Sequence, residues 1–512
     1  MTVKQLFGPP GCGKTETLMR HIDDALSQGV RPDQIICVSF SKKAVNEARE
    51  RAASRFGLTD RDLMYFRTLH SLAFSALGLR REDVMNPSDY GAVGKLVGET
   101  LAVSANPDDG MLIPSVDFSK GTKYLAIIDR ARYRKVTLEE EWKEHDTYDM
   151  HLFKAKQIAD QLAEYKSKMG KVDFVDMIEQ YIARVPAPQS RLFIVDEAQD
   201  LTPLQFDMVR KISAHADNTV TAGDDDQAIH AWNGASAEEF IAFGDERVIL
   251  TQSYRLPQRV FDVANQVVRR IRDRVDKRYA PTDEEGSVYW HYMLDTLPLD
   301  RGSWTVMGRT NYIVKKVASR IKDMGYYYSL KGHAPISRKQ AEAIHTWRAL
   351  CAGEKVPVSR IKDLYELVPK QGDRAVIKRG SAKLLEAADP EGTLTMTELH
   401  KEFGLLVAPD LFGEVGRDAF DVLNLGDEMR TYLTRIENSG EDLTKPPRIK
   451  LSTFHAMKGG EDERCAVLLD TTRACYESNR QDDEHRAFYV AVTRSQKELH
   501  IIEAQGKYRY AL

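Results

Sequence analysis

Short apolar runs, each ending in polar residues, recur along the chain and restrict the folds it can adopt. Such runs stand in "QIICVSF", "RLFIVDEAQD", "NTVTAGDDD", "ERVILTQSYR", "SWTVMGRTN", "RIKLSTFHAMKGG" and "CAVLLD", with helical patterns between them. Strands that alternate with helices predict parallel α/β sheets. Ligands of such sheets bind beyond the carboxyl ends of the strands, so these polar clusters are the candidate functional positions.

Two long, charged stretches of mainly helical pattern interrupt this alternation. Strand-type motifs resume after each stretch, which predicts that both are insertions within α/β domains. The expected bounds are 1–80 with 186–250 for the first α/β domain, 81–185 for its insertion, 251–334 with 446–512 for the second α/β domain, and 335–445 for the second insertion.

Composition places the chain among ordinary globular proteins, with 42% hydrophobic and 29% charged residues in 512. No stretch approaches the roughly 18 apolar residues of a membrane span, and the N-terminus shows no secretory pattern. The five cysteines form no CxxC pair, so we expect a reducing cytoplasm, in a bacterium or in the host of a phage. The net charge of −4 does not decide on nucleic acid, because binding depends on a local cationic track.

Residues 8–15, "GPPGCGKT", match the phosphate-binding pattern G-x-x-x-x-G-K-[ST] between a predicted strand and a predicted helix. The glycines let backbone N–H groups face phosphate oxygens at a helix N-terminus. We expect Lys14 to reach the β- and γ-phosphates and the Thr15 hydroxyl to coordinate Mg²⁺; the alternative is a Gly-rich turn without function. The predicted phosphate-site residues are Gly8, Pro9, Pro10, Gly11, Cys12, Gly13, Lys14 and Thr15.

An acidic pair, Asp196-Glu197, ends the apolar run "LFIVDE". Because Mg²⁺ prefers carboxylate oxygen, Asp196 is the expected metal partner. Glu197 would then orient or deprotonate the attacking water. Alone the pair could be surface charge, but with the phosphate loop it predicts nucleotide hydrolysis.

The order of these and further motifs resembles that of superfamily 1 DNA helicases of the UvrD/PcrA/Rep type, from the first strand to the last. The resembling segments are "GPPGCGKT", "VSFSKKAVNEAR", "RTLHSLA", "VDFVDMI", "IVDEAQDLTPLQ", "AGDDDQAIHAWNGA", "LTQSYR", "MGRTN", "LSTFHAMKGGEDE" and "RAFYVAVTRS". The resemblance implies a P-loop NTPase fold of two RecA-like parallel-sheet domains, each with a mainly helical insertion, that binds ATP and Mg²⁺.

The resemblance also implies further roles in hydrolysis. Gln227 resembles the glutamine that senses the γ-phosphate, and Arg255 and Arg494 resemble two arginines that the second domain places on it. An arginine arriving from another domain would make hydrolysis depend on domain closure and is worth roughly 10³–10⁵ in rate. The remaining implied nucleotide contacts are Tyr254 on adenine, Glu461 on the ribose and Glu16 beside the phosphate loop. For the two arginines, ordinary surface positions are the alternative.

The implied contacts to single-stranded DNA come from both α/β domains. They are Phe40, Lys42, His70, Trp232, Thr453 and His455, with Lys43 as a further phosphate contact. Base stacking on an aromatic side chain contributes about 1–3 kcal/mol and tolerates any sequence. Core packing is an equal alternative for Phe40, and a capping or core role is one for His70.

The loop "TAGDDDQAIHAWNGA" combines three adjacent aspartates with Gln227 and Trp232. We expect successive side chains to diverge, so the aspartates should not share one ion and an independent metal site is not predicted. Instead, with Gln227 at the nucleotide and Trp232 at a base, the loop would couple the two sites.

The sequence departs from the family in four places. The glutamine with which relatives read adenine lies upstream of the phosphate loop and finds no counterpart here, and Glu16 stands where relatives often have a basic residue packed on the adenine, so base selectivity is expected to be loose. His230 and Asn233 stand where relatives often have Tyr and Arg, so the stacking contact of that tyrosine and the phosphate contact of that arginine are not predicted for this chain.

The resemblance implies an ATP-dependent DNA helicase or single-strand translocase that moves 3′ to 5′, with single-stranded DNA and single/double-strand junctions as partners and no membrane. A translocase that strips proteins from DNA with little unwinding is the nearest alternative. A P-loop kinase for a small molecule would explain Lys14 and Asp196 but not Trp232, Arg255 or Arg494. A nucleotide-gated DNA-binding module without turnover would have no use for Glu197.

Overall fold

The chain folds into two compact units, seen in a computed structural model that describes residues 2–105, 112–114, 119–145, 147, 149–372, 374–406 and 419–512. Unit 1 comprises Met1–Ser287 and Ser478–Thr493, and unit 2 comprises Val288–Glu477 and Arg494–Leu512. This division by packing differs from the expected domain bounds, which follow the motifs and remain a prediction. Residues 251–287 in particular pack with unit 1.

Unit 1 is built on a six-stranded parallel sheet. Its strands and those of a small antiparallel pair, β4 with β5, are β1 Thr2–Phe7, β2 Ile35–Ser39, β3 Phe66–Thr68, β4 Val103–Ala105, β5 Leu112–Pro114, β6 Ser190–Asp196, β7 Ala216–Gly223 and β8 Glu246–Ile249. The order across the main sheet is β3-β2-β6-β7-β1-β8. Successive apolar residues of these strands alternate between the two faces: Ile36 and Phe193 pack in one core, and Ile35 and Ile194 in the other. Both faces are therefore buried, as parallel sheets require.

Helices cover both faces of this sheet and form the first insertion. They are α1 Lys14–Ser27, α2 Lys42–Phe56, α3 Leu69–Ala76, α4 Pro87–Val97, α5 Lys120–Arg134, α6 Leu138–Lys143, α7 Leu152–Met169, α8 Phe174–Arg184, α9 Pro203–Ser213, α10 Ala237–Phe243 and α11 Gln258–Val268. Helices α4, α5 and α7 of the insertion share a core of their own, which includes Tyr90, Ile128 and Ile158.

Unit 2 contains a second six-stranded sheet, of order β11-β14-β10-β15-β16-β9, and a two-stranded antiparallel pair, β12 with β13. Its strands are β9 Ser287–His291, β10 Trp304–Gly308, β11 Tyr328–Leu330, β12 Val356–Pro357, β13 Thr393–Leu394, β14 Ile449–Thr453, β15 Asp462–Leu468 and β16 Ser495–Ile502. Strand β10 pairs in parallel with β14 and β15, and β16 pairs in parallel with β15.

The helices of unit 2 include those of the second insertion. They are α12 Asn311–Asp323, α13 Arg338–Cys351, α14 Val358–Leu367, α15 Ser381–Glu386, α16 Met396–Glu402, α17 Ala419–Val422, α18 Asp427–Asn438 and α19 Arg473–Tyr476. The last helix, α20 Gln481–Val492, belongs to unit 1 and packs against α11.

The predicted fold class is thus confirmed: two parallel-sheet α/β domains, each interrupted by mainly helical chain. Within the part of the chain that the structure describes, none of the helices has the length and apolar character that crossing a membrane demands.

Candidate nucleotide site and coupling loop

The phosphate loop joins β1 to α1, as its motif predicts. Gly13 has a φ of 73° and is the N-cap of α1, and the Gly13 carbonyl accepts from the Thr17 N–H at 2.9 Å. A Cβ on Gly8 would lie 2.1 Å from Cγ of Lys14, so the lysine can fold over the loop only because Gly8 has no side chain. The Lys14 ammonium donates to the Gly8 carbonyl at 2.9 Å. The lysine is therefore held over a loop whose backbone can receive phosphates.

Asp196 and Glu197 lie at the carboxyl end of β6, which is in the middle of the sheet. Burial and the neighbouring Glu197 carboxylate raise the pKa of Asp196 to about 7, against the effect of Lys14. Among the described residues, the Asp196 side chain accepts one hydrogen bond, from the Glu197 N–H at 2.9 Å. A buried carboxylate with so little hydrogen bonding, within electrostatic reach of Lys14, fits the oxygen ligands that Mg²⁺ takes.

Glu197 adopts a strained backbone conformation that aims its side chain. Its φ of 51° lies in the left-handed region, which is costly for a residue other than glycine and occurs most often at functional sites. Its carboxylate accepts from the Gln199 side chain at 2.5 Å. Both the backbone and the side chain of the expected catalytic carboxylate are thus fixed.

Gln199 is a site residue that the sequence analysis missed. It is completely buried, and its carbonyl oxygen accepts from the Asp224 N–H at 3.0 Å while its NH₂ group donates to Glu197. A Cβ on Gly223 would lie 2.4 Å from that carbonyl oxygen, so glycine at the end of β7 permits the approach. The only sequence signal was the position of Gln199 within "DEAQD". It joins the expected catalytic carboxylate to the loop that begins at Asp224.

The expectation that the three adjacent aspartates diverge is wrong. Asp224 is extended and caps a single 3₁₀ turn over Asp225–Gln227, and this turn brings the three carboxylates around the Lys277 ammonium. The ammonium lies 2.9 Å from Asp224 Oδ1 and 2.8 Å from Asp226 Oδ2, and it also pairs with Asp225. The ion that they share is an ammonium group of the chain itself, which strand and helix geometry alone did not suggest.

Residues next to Lys277 in the sequence also bind the aspartate turn, which comprises Asp224 and the 3₁₀ turn that follows it. Arg274 binds Asp226 with two nitrogen–oxygen distances of 2.8 Å, and the Val275 N–H donates to Asp225 Oδ2 at 2.7 Å. Arg486, on α20, donates to the Asp225 carbonyl at 3.0 Å. Four groups from two distant stretches of sequence therefore hold this turn.

Gln227 is fixed by the same turn. Its NH₂ group donates to Asp224 Oδ2 at 2.6 Å, and its backbone N–H donates to the Asp224 carbonyl at 2.9 Å. Burial opposes ionisation of Asp224, but Lys277, Lys14 and the Gln227 amide outweigh it and hold the pKa of this carboxyl below its usual value. The influence of Lys14 places the turn within electrostatic reach of the phosphate loop.

The segment with Tyr254 and Arg255 lies against the phosphate loop within unit 1. The Tyr254 N–H donates to the Gly11 carbonyl at 2.9 Å, and the Ser253 hydroxyl donates to the Pro10 carbonyl at 2.8 Å. A Cβ on Gly11, whose φ is 71°, would lie 2.4 Å from Cβ of Arg255. The Tyr254 ring is 75% exposed, so it can receive a flat ligand.

Three aromatic side chains form a row above the sheet of unit 1. The Phe40 ring centroid lies 5.1 Å from that of His230, which lies 6.2 Å from that of Trp232. The Trp232 side chain is half-exposed, and Lys42 and Lys43 are exposed at the start of α2. His230 therefore provides an aromatic ring where its departure from the family had left a stacking contact open.

The Trp232 end of the loop rests on the first insertion. Arg130 of α5 donates to the Trp232 carbonyl at 3.2 Å and also binds Glu141 of α6 at 2.5 Å. Glu141 is completely buried and pairs with Arg134 at 2.5 Å and His145 at 2.8 Å. Burial opposes its ionisation, but His145 and the two arginines lower the pKa of Glu141 to about 2.

The side chains of two predicted residues, His70 and Cys12, are buried. His70 contacts the rings of Tyr133 and Phe174, and burial lowers its pKa to about 4, so the structure favours the core alternative for it. Burial likewise raises the pKa of the Cys12 thiol to about 12, which makes Cys12 a protonated packing residue. Glu16, the residue after the loop motif, pairs at the surface with Arg55 at 2.9 Å.

The remaining predicted residues belong to unit 2, where each lies next to β14, β15 or β16. Arg494 is buried and donates to the Gly460 carbonyl at 3.2 Å, beside Glu461, which accepts from Gln496 at 2.9 Å. Thr453 ends β14 and its hydroxyl accepts from the Ala456 N–H at 3.2 Å, one residue beyond His455. Thr453 and His455 thus lie at and just after the carboxyl end of β14, whereas Glu461 and Arg494 immediately precede β15 and β16.

Among the described residues, no group of three or more His, Cys, Asp or Glu side chains has an arrangement that could hold a metal ion. The aspartate turn is accounted for by its cationic partners.

Two models of known protein families match the chain. The family model described as the UvrD/REP helicase N-terminal domain matches residues 3–247, and that of the UvrD-like helicase C-terminal domain matches residues 420–506. The chain is 22% identical over 595 residues to a "Probable DNA helicase II homolog" of Mycoplasma pneumoniae, covering 98% of this chain and 82% of that protein.

Two further relatives bear the name "ATP-dependent DNA helicase PcrA". The Bacillus subtilis protein is 22% identical over 618 residues, with 98% of this chain and 80% of the relative covered. The Leuconostoc citreum protein is 26% identical over 302 residues, with 56% of this chain and 40% of the relative covered. Together the two family matches span well over half of the sequence, and the chain belongs to the UvrD/PcrA/Rep-like family of ATP-dependent superfamily 1 DNA helicases.

Proposed function

We propose that this protein hydrolyses ATP to move 3′ to 5′ along single-stranded DNA and to separate duplexes at single/double-strand junctions. The observation that carries the proposal is the hydrogen-bonded path from Glu197 through Gln199 and Asp224 to Gln227. This path lies in one unit with the phosphate loop and continues along the chain to the exposed Trp232. A single short segment could therefore transmit the state of the γ-phosphate to a base-stacking side chain.

In the proposed site, Lys14 and the loop backbone bind the β- and γ-phosphates, and Thr15 and Asp196 hold Mg²⁺. The metal ion supplies neutralisation of phosphate charge when bound. Glu197 orients and deprotonates the attacking water, and Gln227 contacts the γ-phosphate. We further propose that Arg255 and Arg494 stabilise charge in the transition state, with Tyr254 on the adenine and Glu461 on the ribose.

The proposed DNA surface consists of Phe40, His230 and Trp232 in unit 1 with Thr453 and His455 in unit 2, and of phosphate contacts from Lys42 and Lys43. The interplanar angle between the rings of His230 and Trp232 is 51°, so the row offers successive faces and not one flat stack. Melting a base pair costs about 1.4 kcal/mol, which is similar to one stacking contact. Stepping past a base therefore has no direction of its own, and hydrolysis must provide it.

The test compares strand displacement on 3′-tailed, 5′-tailed and blunt duplexes, together with ATP hydrolysis with and without single-stranded DNA. We expect displacement of the 3′-tailed duplex alone, and hydrolysis that DNA stimulates and that Lys14→Ala and Glu197→Gln each abolish. Movement along single strands without displacement would favour the protein-stripping translocase. Hydrolysis that is indifferent to DNA would contradict the proposal, and turnover of GTP would measure how loosely the base is read.

A further inference from the structure

Lys277 lies outside every motif that the function uses, yet it is the centre of the most buried charge cluster at the candidate site. Its side chain and those of Asp224, Asp225 and Asp226 are each at most 1% exposed. A buried ammonium is costly unless it is paired and hydrogen-bonded, and this one has three carboxylates to satisfy its three N–H donors. Such a cluster specifies one arrangement of the groups around it.

The two oxygens of Asp224 face different partners. Oδ1 lies 2.9 Å from the Lys277 ammonium, and Oδ2 accepts from the Gln227 NH₂ group at 2.6 Å. An ionised carboxylate can only accept hydrogen bonds, so the nitrogen of the Gln227 amide must face it. If Asp224 carried a proton, the amide could turn over and present its oxygen instead.

The same reasoning applies on the other side of Asp224. Its backbone N–H can only donate, and it donates to the Gln199 carbonyl oxygen at 3.0 Å, which directs the NH₂ group of Gln199 to Glu197. The orientation of the Gln227 amide therefore depends on the charge of Asp224, and that of the Gln199 amide on the position of the Asp224 backbone.

We propose that Lys277 is a positioning residue for ATP hydrolysis, which holds Asp224 as a carboxylate and thereby fixes the orientation of the Gln227 amide. This inference rests on the proposed function, because it assigns a role in that same reaction. Lys277 acts through other residues and has no contact with the nucleotide of its own.

The first experiment measures kcat and KM for ATP, with saturating single-stranded DNA, in the full chain carrying Lys277→Met. Methionine keeps the length of the side chain and removes the charge. We expect kcat to fall about 100-fold, the loss that a displacement of about 1 Å causes in a catalytic group, and KM to change less than about threefold. Lys211→Met is the matched control, since the ammonium of this lysine of α9 donates to the carbonyls of Tyr181 and Ile182 and lies over the Tyr181 ring, and the variant should stay within about twofold of wild type.

The second experiment separates positioning from general damage by a double-mutant cycle. If Lys277 acts through Gln227, Lys277→Met should lower kcat by less than about threefold in a Gln227→Ala background. A structural role would lower kcat by the same factor in both backgrounds and would overturn the proposal. A normal kcat in the single variant would overturn it as well.

Asp224→Asn provides the same test if Lys277→Met does not fold, because Lys277 keeps Asp225 and Asp226 as partners in that variant. We expect a loss of kcat similar to that of Lys277→Met and the same non-additivity with Gln227→Ala; independent losses would overturn the proposal. Absence of DNA-stimulated hydrolysis in the wild type would refute the proposed function itself. A normal wild type with unaffected variants would refute only the role of Lys277.

Discussion

Two buried charge clusters of unit 1 hold opposite ends of the same loop, and their charges are arranged in opposite ways. At the Gln227 end, one ammonium, that of Lys277, is surrounded by three aspartates. At the Trp232 end, one carboxylate, that of Glu141, is surrounded by two arginines and a histidine. In each cluster, a single central residue satisfies several groups of the other sign.

The clusters differ most in their access to water. Lys277 and the three aspartates around it are buried, whereas the Arg130, Arg134 and His145 side chains are 13%, 30% and 22% exposed. Groups with such access can exchange a protein partner for water, and fully buried groups cannot. We infer that the loop is rigid where it would sense the nucleotide and more yielding where it carries the stacking side chain. A loop that couples the nucleotide to DNA could then hold Gln227 in place while Trp232 moves.

Removal of Lys277 should have the largest effect on stability. Lys277→Met leaves three buried carboxylates together, and removing one partner from a buried ion pair costs about 3–5 kcal/mol in the free energy of unfolding. Urea unfolding of the full chain gives this change, and hydrogen exchange of β7 amides assigns it to unit 1. Lys211→Met is the control, and a loss below about 1 kcal/mol would contradict the rigid end of the comparison.

Removal of the Glu141 charge should cost less, because the two arginines can turn to water. For Glu141→Gln we expect a loss of about 1–3 kcal/mol at neutral pH, the value of hydrogen bonds to charged groups. The pKa of Glu141 is about 2 in the folded chain, below its usual 4.5. Its ionisation therefore stabilises the fold above about pH 4.5, and this contribution disappears as the pH falls through about 2.

The pH dependence sharpens this prediction. The difference in the free energy of unfolding between wild type and Glu141→Gln should narrow as the pH falls below about 4.5. Urea midpoints at several pH values measure it. If Glu141→Gln lowered the free energy of unfolding as much as Lys277→Met does, or if its difference from wild type grew in acid, the two clusters would not differ in strength as their exposure predicts.

Gln227 and Lys277 also differ in how far the sequence could predict their roles. The phosphate loop, Asp196 and Gln227 stand in short motifs whose spacing is local, and the strand-then-polar pattern predicted the sheets on which they lie. Lys277 stands in "RVDKRY", which resembles a surface segment, and only the folded chain brings it to Asp224. Long-range pairs of this kind leave no period or spacing in a sequence.

Burial explains the other differences between prediction and structure. His70 occupies a position at which relatives bind DNA, but its ring packs between Tyr133 of α5 and Phe174 of α8. The motif fixed its place in the chain and could not report which way the side chain points. The convergence of the three aspartates was missed for a similar reason, since the expectation assumed strand or helix geometry where the chain forms a single 3₁₀ turn.

Trp232→Ala should have the smallest effect on stability and a clear effect on DNA binding. The side chain is 50% exposed and Arg130 binds only its backbone carbonyl, so the free energy of unfolding should change by less than about 0.5 kcal/mol. Loss of one stacked base should weaken the binding of single-stranded DNA by about 1–3 kcal/mol, or roughly 5- to 150-fold in Kd. Fluorescence anisotropy with a labelled oligonucleotide measures the affinity, and urea unfolding of the same sample measures the stability. If Trp232→Ala lowered the free energy of unfolding as much as Glu141→Gln does, Trp232 would be a packing residue. The Trp232 end of the loop would then not be a base-stacking site.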